Sequence, residues 1–193
     1  MGKPKELSAT EIAVDAIGPL RVFFAVWPDP AAGEAIAALA RDVAKTARGH
    51  APRPENHHLT LAFVGAVAPA RVAALERIGA EAALAAAPFE LALDSLGSFH
   101  HAGIAWLGAA VVPDALRRLS NVLRDGLTEE GFRVERRPFR VHVTLARRCG
   151  TVTAATISPI TFRVERMTLN RSQLQREGSI YRELAAWPLG NTK

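Results

Sequence analysis

The sequence predicts an α+β fold made of two largely antiparallel sheets that line a central cleft, with the helices outside them. Helical and strand-like periods alternate unevenly along the chain, and short turns join several neighbouring strands. Short connections favour antiparallel over parallel pairing, because parallel neighbours need a long crossover. A His-x-Thr-Leu tetrad also occurs twice in strand-like surroundings, beginning at His58 and at His142. This repeat predicts two lobes related by a pseudo-twofold axis.

Strands are predicted where β-branched, aromatic and alternating apolar residues run between turn-forming residues. These segments are 21–27, 57–64, 89–94, 102–107, 140–147, 160–170 and 180–187, with Gly178 in the last turn. Helices are predicted where apolar residues recur at three- and four-residue spacing. These segments are 31–47, 70–86 and a third that begins at Pro113 and ends at Gly131, with a stripe of leucines from Leu116 to Leu127.

The composition is that of one globular domain. The chain has 193 residues, of which 49% are hydrophobic and 22% charged, enough for a substantial core. We expect residues 1–20 to be a flexible leader and 21–193 to form a single bilobal domain. The apolar run 104–112 is too short and glycine-rich to cross a bilayer.

Two features of the sequence favour a cytoplasmic protein. No long apolar segment near the N-terminus suggests a secretory signal. A single cysteine, Cys149, rules out an internal disulfide and suits a reducing compartment.

No oligomerisation element is evident, so we expect a monomer without an obligate protein partner and without membrane association.

The positive charge is concentrated near the second tetrad. The formal net charge is +5, and six arginines lie close to that tetrad in sequence: Arg133, Arg136, Arg137, Arg140, Arg147 and Arg148. Arginine binds phosphate through two parallel hydrogen bonds, and clustered positive charge attracts nucleic acid. The cluster therefore favours a polyanionic ligand.

Each tetrad would present one imidazole and one hydroxyl on the same surface. Successive side chains of a strand point to opposite faces, so His58 lies beside Thr60, and His142 beside Thr144, while the aliphatic residues face a core. Neutral imidazole takes a proton and imidazolium gives one near neutral pH. Two such strands facing one cleft suit in-line attack on a phosphate ester without a metal ion.

The sequence favours no metal and no cofactor. The pairs His57-His58 and His100-His101 are adjacent in sequence, so their side chains point apart and do not readily share an ion. No helical metal motif accompanies them, and no glycine-rich nucleotide motif is present. We expect His57 at a surface or between the lobes, and the other pair in an exposed turn.

One aromatic residue is expected to contact substrate. If the first predicted strand adjoins the histidine strands, either Phe23 or Phe24 shares their face, where it would stack on a base. Phe24 is the one we favour. Trp106 and Trp187 are expected to pack in the core.

With these residues in view, the chain resembles the 2H phosphoesterase superfamily, which is named for two His-x-Thr/Ser motifs. It is most similar to the bacterial and archaeal RNA 2′,3′-cyclic phosphodiesterases, formerly described as 2′-5′ RNA ligases. The likeness covers RVFFAVWPD at 21–29, PENHHLTLAFVG at 54–65, LDSLGSF at 93–99, RPFRVHVTLAR at 137–147 and RSQLQREGSIYRELAAWPL at 171–189. One departure is Val141, which stands where the family commonly has proline before the second histidine.

The resemblance implies a bilobal fold, no required metal, and hydrolysis of RNA 2′,3′-cyclic phosphate ends to 2′-phosphomonoesters. It implies that His58 is the general acid and His142 the general base, an assignment weaker than the pair because the two motifs are nearly symmetric. Thr60, Thr144 and Arg147 would bind the phosphate. Three alternatives remain open: reversible 2′-5′ RNA ligation, hydrolysis of small cyclic nucleotides or 2′-5′ oligonucleotides, and RNA binding without catalysis.

Overall fold

A computed structural model describes residues 18–134, 139–175 and 178–190 of the chain. Within these residues the helices are α1 (Pro30–Thr46), α2 (Val72–Leu84) and α3 (Asp114–Glu129). The strands are β1 (Leu20–Val26), β2 (Leu59–Val67), β3 (Phe89–Phe99), β4 (Ile104–Gly108), β5 (His142–Arg147), β6 (Ala155–Val164), β7 (Arg166–Gln175) and β8 (Gly178–Pro188). None of the described helices is long and apolar enough to cross a membrane.

The strands form two antiparallel halves that meet at the centre of one sheet. Their order is β6-β3-β4-β5-β2-β1-β7-β8. The histidine strands β2 and β5 are the central pair, and only Leu59 and Val143 face each other in their ladder. Each half therefore has four strands, and the halves are related by a pseudo-twofold axis near this pair. The predicted α+β class and pseudo-twofold arrangement are confirmed, with a narrow ladder joining the two predicted sheets.

The apolar core lies on one face of the sheet, beneath the three helices. Ile36 of α1, Leu75 of α2 and Leu119 of α3 are fully or almost fully buried there. They pack in one cluster with the aliphatic residues of both tetrads, including Leu59 and Val143. Burial of these residues fixes which face each strand turns toward the core, and so leaves the imidazoles on the opposite face. We call that opposite surface the histidine face.

The N-terminus of α1 is set by residues close in sequence. The Asp29 carboxylate accepts a hydrogen bond from the Ala32 backbone N–H at 2.9 Å, and Pro30 occupies the first turn. An aspartate cap followed by proline satisfies a free backbone donor and presets the helical backbone angle. Helix α1 consequently begins directly after β1 and packs against the core side of the sheet.

Several predicted boundaries require correction. Strands β2, β3 and β7 extend beyond their predicted ends, to Val67, Phe99 and Gln175, and two further corrections concern where strands begin or divide. The predicted strand 160–170 is two strands, β6 and β7, separated at Glu165. No glycine or proline interrupts the sequence there, so the pattern contains no turn signal. These strands lie six places apart in the sheet, so the sheet must bend strongly for one residue to join them. The second correction concerns β2, which begins at Leu59, just after the two histidines.

The expected leader lies mostly outside the description of the structure, since residues 1–17 are not among the described residues. Strand β1 begins at Leu20, one residue earlier than predicted, and Leu20 is almost fully buried. Its burial shows that the folded part of the chain includes this residue.

Candidate active site

A β-bulge interrupts the second motif strand just after its threonine. Thr144 faces Trp106 of β4, whereas the next β4 residue, Ala105, faces Ala146. Leu145 is therefore an extra residue, and both Leu145 and Ala146 are fully buried on the core side. A bulge of this kind shifts the alternation of the strand by one residue.

This bulge brings Arg147 onto the histidine face. Arg147 follows His142 by an odd number of residues, which in a regular strand would place it on the core face. After the bulge it is exposed, and its guanidinium acts electrostatically on the imidazoles of both His58 and His142. One cation therefore lies near both predicted catalytic groups.

The first motif strand has a bulge at the equivalent place. Thr60 faces Ala25 of β1 and Ala62 faces Phe24, so Leu61 is the extra residue. The position that matches Arg147 is occupied by Phe63, which is 43% exposed. The Arg21 guanidinium lies 4.8 Å from the centre of the Phe63 ring. Our sequence reasoning missed Phe63, although its spacing from His58 equals that of Arg147 from His142.

Backbone carbonyls orient both predicted catalytic imidazoles in the same way. The Nδ1–H of His58 donates to the Asn56 carbonyl oxygen at 2.7 Å, and the Nδ1–H of His142 donates to the Arg140 carbonyl oxygen at 2.8 Å. Since a carbonyl only accepts, each neutral ring keeps its proton on Nδ1 and its lone pair on Nε2. The Thr60 hydroxyl lies 3.0 Å from Nε2 of His58 and donates to it. Each Nε2 is thus the atom available for proton transfer.

Three aromatic rings enclose His58. Its ring centre lies 5.0 Å from those of Phe23 and Trp27 and 5.1 Å from that of Tyr181. This burial, together with the positive charge of Arg147, lowers the pKa of His58 to about 4. The enclosure favours the neutral ring, since charged groups lose hydration when buried.

His142 has a more open environment. Among the ring contacts of the described residues, only Phe99 meets it, edge to face at 5.2 Å. Burial again lowers the pKa of His142, and the nearby cations Arg147 and Arg140 act in the same direction. The two imidazoles are therefore symmetric in backbone position but differ in their surroundings.

The predicted role of Phe24 is wrong. Phe24 is fully buried in the core, 6.2 Å from the ring of Trp187, and Phe23 is the residue that contacts His58. The reason is the register of β1: Ala25 faces Thr60 in the ladder, so Ala25 and Phe23 share the histidine face. Phe23 is itself only 3% exposed, because His58 and Tyr181 cover its ring.

A buried polar group holds Trp27 against His58, and the sequence reasoning did not identify it. The Thr168 hydroxyl accepts hydrogen bonds from Trp27 Nε1 at 2.8 Å and from Asn170 Nδ2 at 2.7 Å. It donates to the Ala25 carbonyl oxygen at 3.3 Å. Thr168 therefore uses its single donor and both acceptor positions. Thr168 and Asn170 alternate with the buried Met167 and Leu169, and this alternation was the available signal.

His57 connects the two halves of the sheet. It is 2% exposed, and its Nδ1–H donates to the Thr144 carbonyl oxygen of the other motif at 3.3 Å. Of its two predicted positions, at a surface or between the lobes, the structure shows the second, in which the ring lies buried between the two halves of the sheet. His100 and His101 are exposed, also as predicted. Among the described residues, no group of three or more histidine, cysteine or acidic side chains is arranged to hold a metal ion.

The low pKa of His58 predicts that acid destabilises the fold. The pKa is about 4 in the folded protein and 6.5 as the reference, so the unfolded chain binds this proton first as the pH falls. The free energy of unfolding should be unaffected above about pH 7 and should decrease by up to about 3 kcal/mol on approaching pH 4. Urea unfolding of the wild type and His58→Asn at both pH values measures this. Equal losses in the two proteins would contradict the assigned environment of His58.

Comparisons with known proteins agree with this architecture. The family model of the 2′-5′ RNA ligase superfamily matches residues 27–176. An RNA 2′,3′-cyclic phosphodiesterase of Escherichia coli is 31% identical over 175 residues, which are 89% of this chain and 97% of the relative. One of Thermus thermophilus is 32% identical over 183 residues, 88% of this chain and 90% of the relative. The crystal structure of E. coli LigT complexed with 3′-AMP superposes with a TM-score of 0.82 at 30% identity, covering 90% of this chain and 99% of that one.

Proposed function

This chain belongs to the 2′-5′ RNA ligase superfamily, and on that premise we propose that it hydrolyses RNA 2′,3′-cyclic phosphate ends to 2′-phosphomonoesters. The observation that carries the proposal is the placement of His58 and His142 on one face, with Arg147 near both imidazoles. That set supplies two proton-transfer groups and a cation for a phosphate between them. The relatives named RNA 2′,3′-cyclic phosphodiesterase support the same activity.

In the proposed reaction, His142 takes a proton from water through Nε2 as the water oxygen bonds to phosphorus. The bond from phosphorus to the ribose 3′ oxygen breaks, and His58 gives that oxygen a proton through its own Nε2. The products are a 2′-phosphomonoester and a 3′ hydroxyl. Hydrogen bonds from Thr60, Thr144 and Arg147 would stabilise the charge on the non-bridging oxygens.

The surroundings of His58 determine when it can act as the acid. Its pKa of about 4 means that the free protein holds it neutral at pH 7. A phosphate anion bound beside the ring raises this pKa, because an opposite charge favours the imidazolium. We therefore propose that His58 becomes protonated when the substrate phosphate binds beside it. The less enclosed His142 stays neutral and acts as the base.

Product analysis tests the proposed function. An oligonucleotide with a 2′,3′-cyclic phosphate end should yield the 2′-phosphate, and excess EDTA should leave the rate unchanged. Formation of the 3′-phosphate would contradict the proposed bond cleavage, and complete loss of activity in EDTA would contradict the metal-independent mechanism. Adding an RNA with a 5′ hydroxyl to the same reaction detects 2′-5′ ligation as an alternative outcome.

We also propose that residues 21–193 act as one cytoplasmic, monomeric unit with no obligate protein partner. A single hydrophobic cluster that includes residues of both halves supports the one-domain organisation. The single thiol, Cys149, is part-buried and lies 3.4 Å from the Gly103 carbonyl oxygen. Sedimentation at micromolar concentration tests the monomeric state.

A further inference from the structure

Two backbone hydrogen bonds join Arg147 to a segment that belongs to no strand. The His50 N–H donates to the Arg147 carbonyl oxygen, and the Arg147 N–H donates to the His50 carbonyl oxygen, each at 2.9 Å. This pair is an isolated bridge at the end of β5. On its other side, Arg147 pairs with Ile104 of β4. The backbone of Arg147 is therefore held from both sides.

The turn that follows α1, residues 47–50, carries this segment to the end of β5. The Gly49 N–H donates to the carbonyl oxygen of Ala44, in the last turn of the helix, at 2.8 Å. A bond of this kind commonly ends a helix and fixes the direction in which the chain leaves it. The Gly150 N–H donates to the Ala47 carbonyl oxygen at 2.8 Å, so the chain just beyond β5 is tied to the same turn.

Gly49 permits this close approach because it has no side chain. A Cβ atom at this position would overlap the Cβ of Cys149 and lie 2.9 Å from the Arg147 carbonyl oxygen. Nonbonded carbon atoms normally lie about 3.5 to 4.0 Å apart, so no methyl group fits here. The obstructing atoms are a backbone oxygen and a Cβ fixed by its own backbone, so no side-chain rotation removes the conflict. With any other residue at this position, the 47–50 turn and the end of β5 must separate.

The position of the Arg147 backbone determines where its guanidinium lies. Strand β5 ends at this residue, so the ladder gives it no support further along the chain. The guanidinium acts electrostatically on the imidazoles of both His58 and His142. The other charged or titratable groups that act on them are Arg140, on His142, and the imidazoles of His57 and His142, on His58. None of these is part of the 47–50 turn, so a movement of the turn changes the contribution of Arg147 alone.

We propose that the 47–50 turn, through Gly49, positions Arg147 beside the substrate phosphate. This inference rests on the proposed function and adds a positioning residue to it. Gly49 itself contacts no substrate. It acts by letting the turn come close enough to form the two backbone hydrogen bonds to Arg147. Helix α1 therefore takes part in the arrangement of the site through the backbone that follows it.

Gly49→Ala tests this proposal. Its kcat/KM on a 2′,3′-cyclic phosphate end should be about 10- to 100-fold lower than that of the wild type, because a small displacement of an oriented group has an effect of this size. The acid limb of the pH–rate profile should move to higher pH, because the positive charge that lowers the pKa of both imidazoles moves away. In an Arg147→Ala background the same change should alter kcat/KM by less than about twofold, since the group that it positions is absent.

Gly79→Ala is the matched control. A Cβ atom at Gly79, in α2, would overlap the ring of Trp187 on β8, so this variant also forces two packed elements apart but leaves the 47–50 turn intact. It should lower the Tm, keep the acid limb in place and keep kcat/KM within about twofold of the wild type. An equal movement of the acid limb in both glycine variants would overturn the proposal. A Gly49→Ala loss that multiplies with the loss of Arg147→Ala would also overturn it.

His50→Pro is the second variant, for use where Gly49→Ala does not fold. Proline has no N–H, so this variant loses the hydrogen bond to the Arg147 carbonyl oxygen without placing an atom between Gly49 and Cys149. The acid limb should again move to higher pH. An acid limb at the wild-type position in folded His50→Pro would contradict the positioning role.

A failure of the proposed function gives a different result, since the wild type then hydrolyses no cyclic phosphate end. Titration of His58 and His142 by NMR still reports the position of Arg147. Both pKa values should be higher in Gly49→Ala than in the wild type, in the same direction as in Arg147→Ala. Wild-type values in Gly49→Ala would overturn the positioning role independently of the reaction.

Discussion

Replacing His142 with alanine is expected to lower kcat on a 2′,3′-cyclic phosphate end by about 10²- to 10⁴-fold, the usual contribution of a general base. His58→Ala should cause a loss of similar size through the general acid. The hydrogen bonds that orient the two rings through Nδ1 go to backbone carbonyls, but His58 also contacts three aromatic rings, so folding of each variant has to be measured alongside its activity. The measurement is single-turnover hydrolysis, with circular dichroism to confirm folding. His101→Ala, which removes an exposed histidine, is the control and should retain full activity.

A substrate with sulfur in place of the 3′ oxygen distinguishes the acid from the base. A thiolate leaves without being protonated, so this substrate needs a base but no acid. His58→Ala should therefore recover most of its lost activity on it, while His142→Ala should stay inactive. Recovery by His142→Ala instead would reverse the assignment, and near wild-type turnover by either variant on the normal substrate would exclude the two-histidine mechanism.

Replacing Arg147 with alanine is expected to lower kcat/KM by about 10²- to 10³-fold, as removal of one donor to a developing oxyanion does. The same change should raise the pKa of both catalytic imidazoles, because the charge of Arg147 lowers both. The acid limb of the pH–rate profile should consequently move to higher pH. Arg147→Lys keeps the positive charge but lacks the planar guanidinium that binds phosphate through two hydrogen bonds. Compared with Arg147→Ala, it should restore the position of the acid limb but only part of the rate.

Arg148→Ala is the control for this prediction. Arg148 is adjacent and exposed, but it does not contribute to the pKa shift of either histidine. It should leave the rate and the pH profile close to those of the wild type. Equal losses in Arg147→Ala and Arg148→Ala would show that only general positive charge matters, and would remove Arg147 from the proposed site.

Strand alternation was sufficient to predict the faces of the two tetrads. His58 and Thr60 lie on one face and Leu59 on the other because this relation depends only on neighbouring residues. Alternation alone places Arg147 on the wrong face, since the bulge at Leu145 depends on the register with β4. The predicted role of Arg147 came from the resemblance, and the bulge accounts for the position of Arg147 near both imidazoles.

The choice of Phe24 failed for a related reason. Both Phe23 and Phe24 are apolar, so the pattern of β1 does not say which one faces the core. Pairing with β2 decides it, through Ala25 opposite Thr60. The aromatic enclosure of His58 also could not be predicted from the sequence, because Trp27, Thr168 and Tyr181 come from three distant segments. Such contacts are set by tertiary packing, which local pattern does not contain.

The paired bulges extend the internal repeat beyond the two tetrads. Leu61 and Leu145 are each the extra residue, and each follows its histidine at the same spacing. In the second copy the bulge turns two successive residues, Leu145 and Ala146, toward the core. The residue that each bulge brings out of the core differs between the copies: it is the aromatic Phe63 in one half and the cation Arg147 in the other. One backbone irregularity used twice therefore gives the two halves of the histidine face different chemistry.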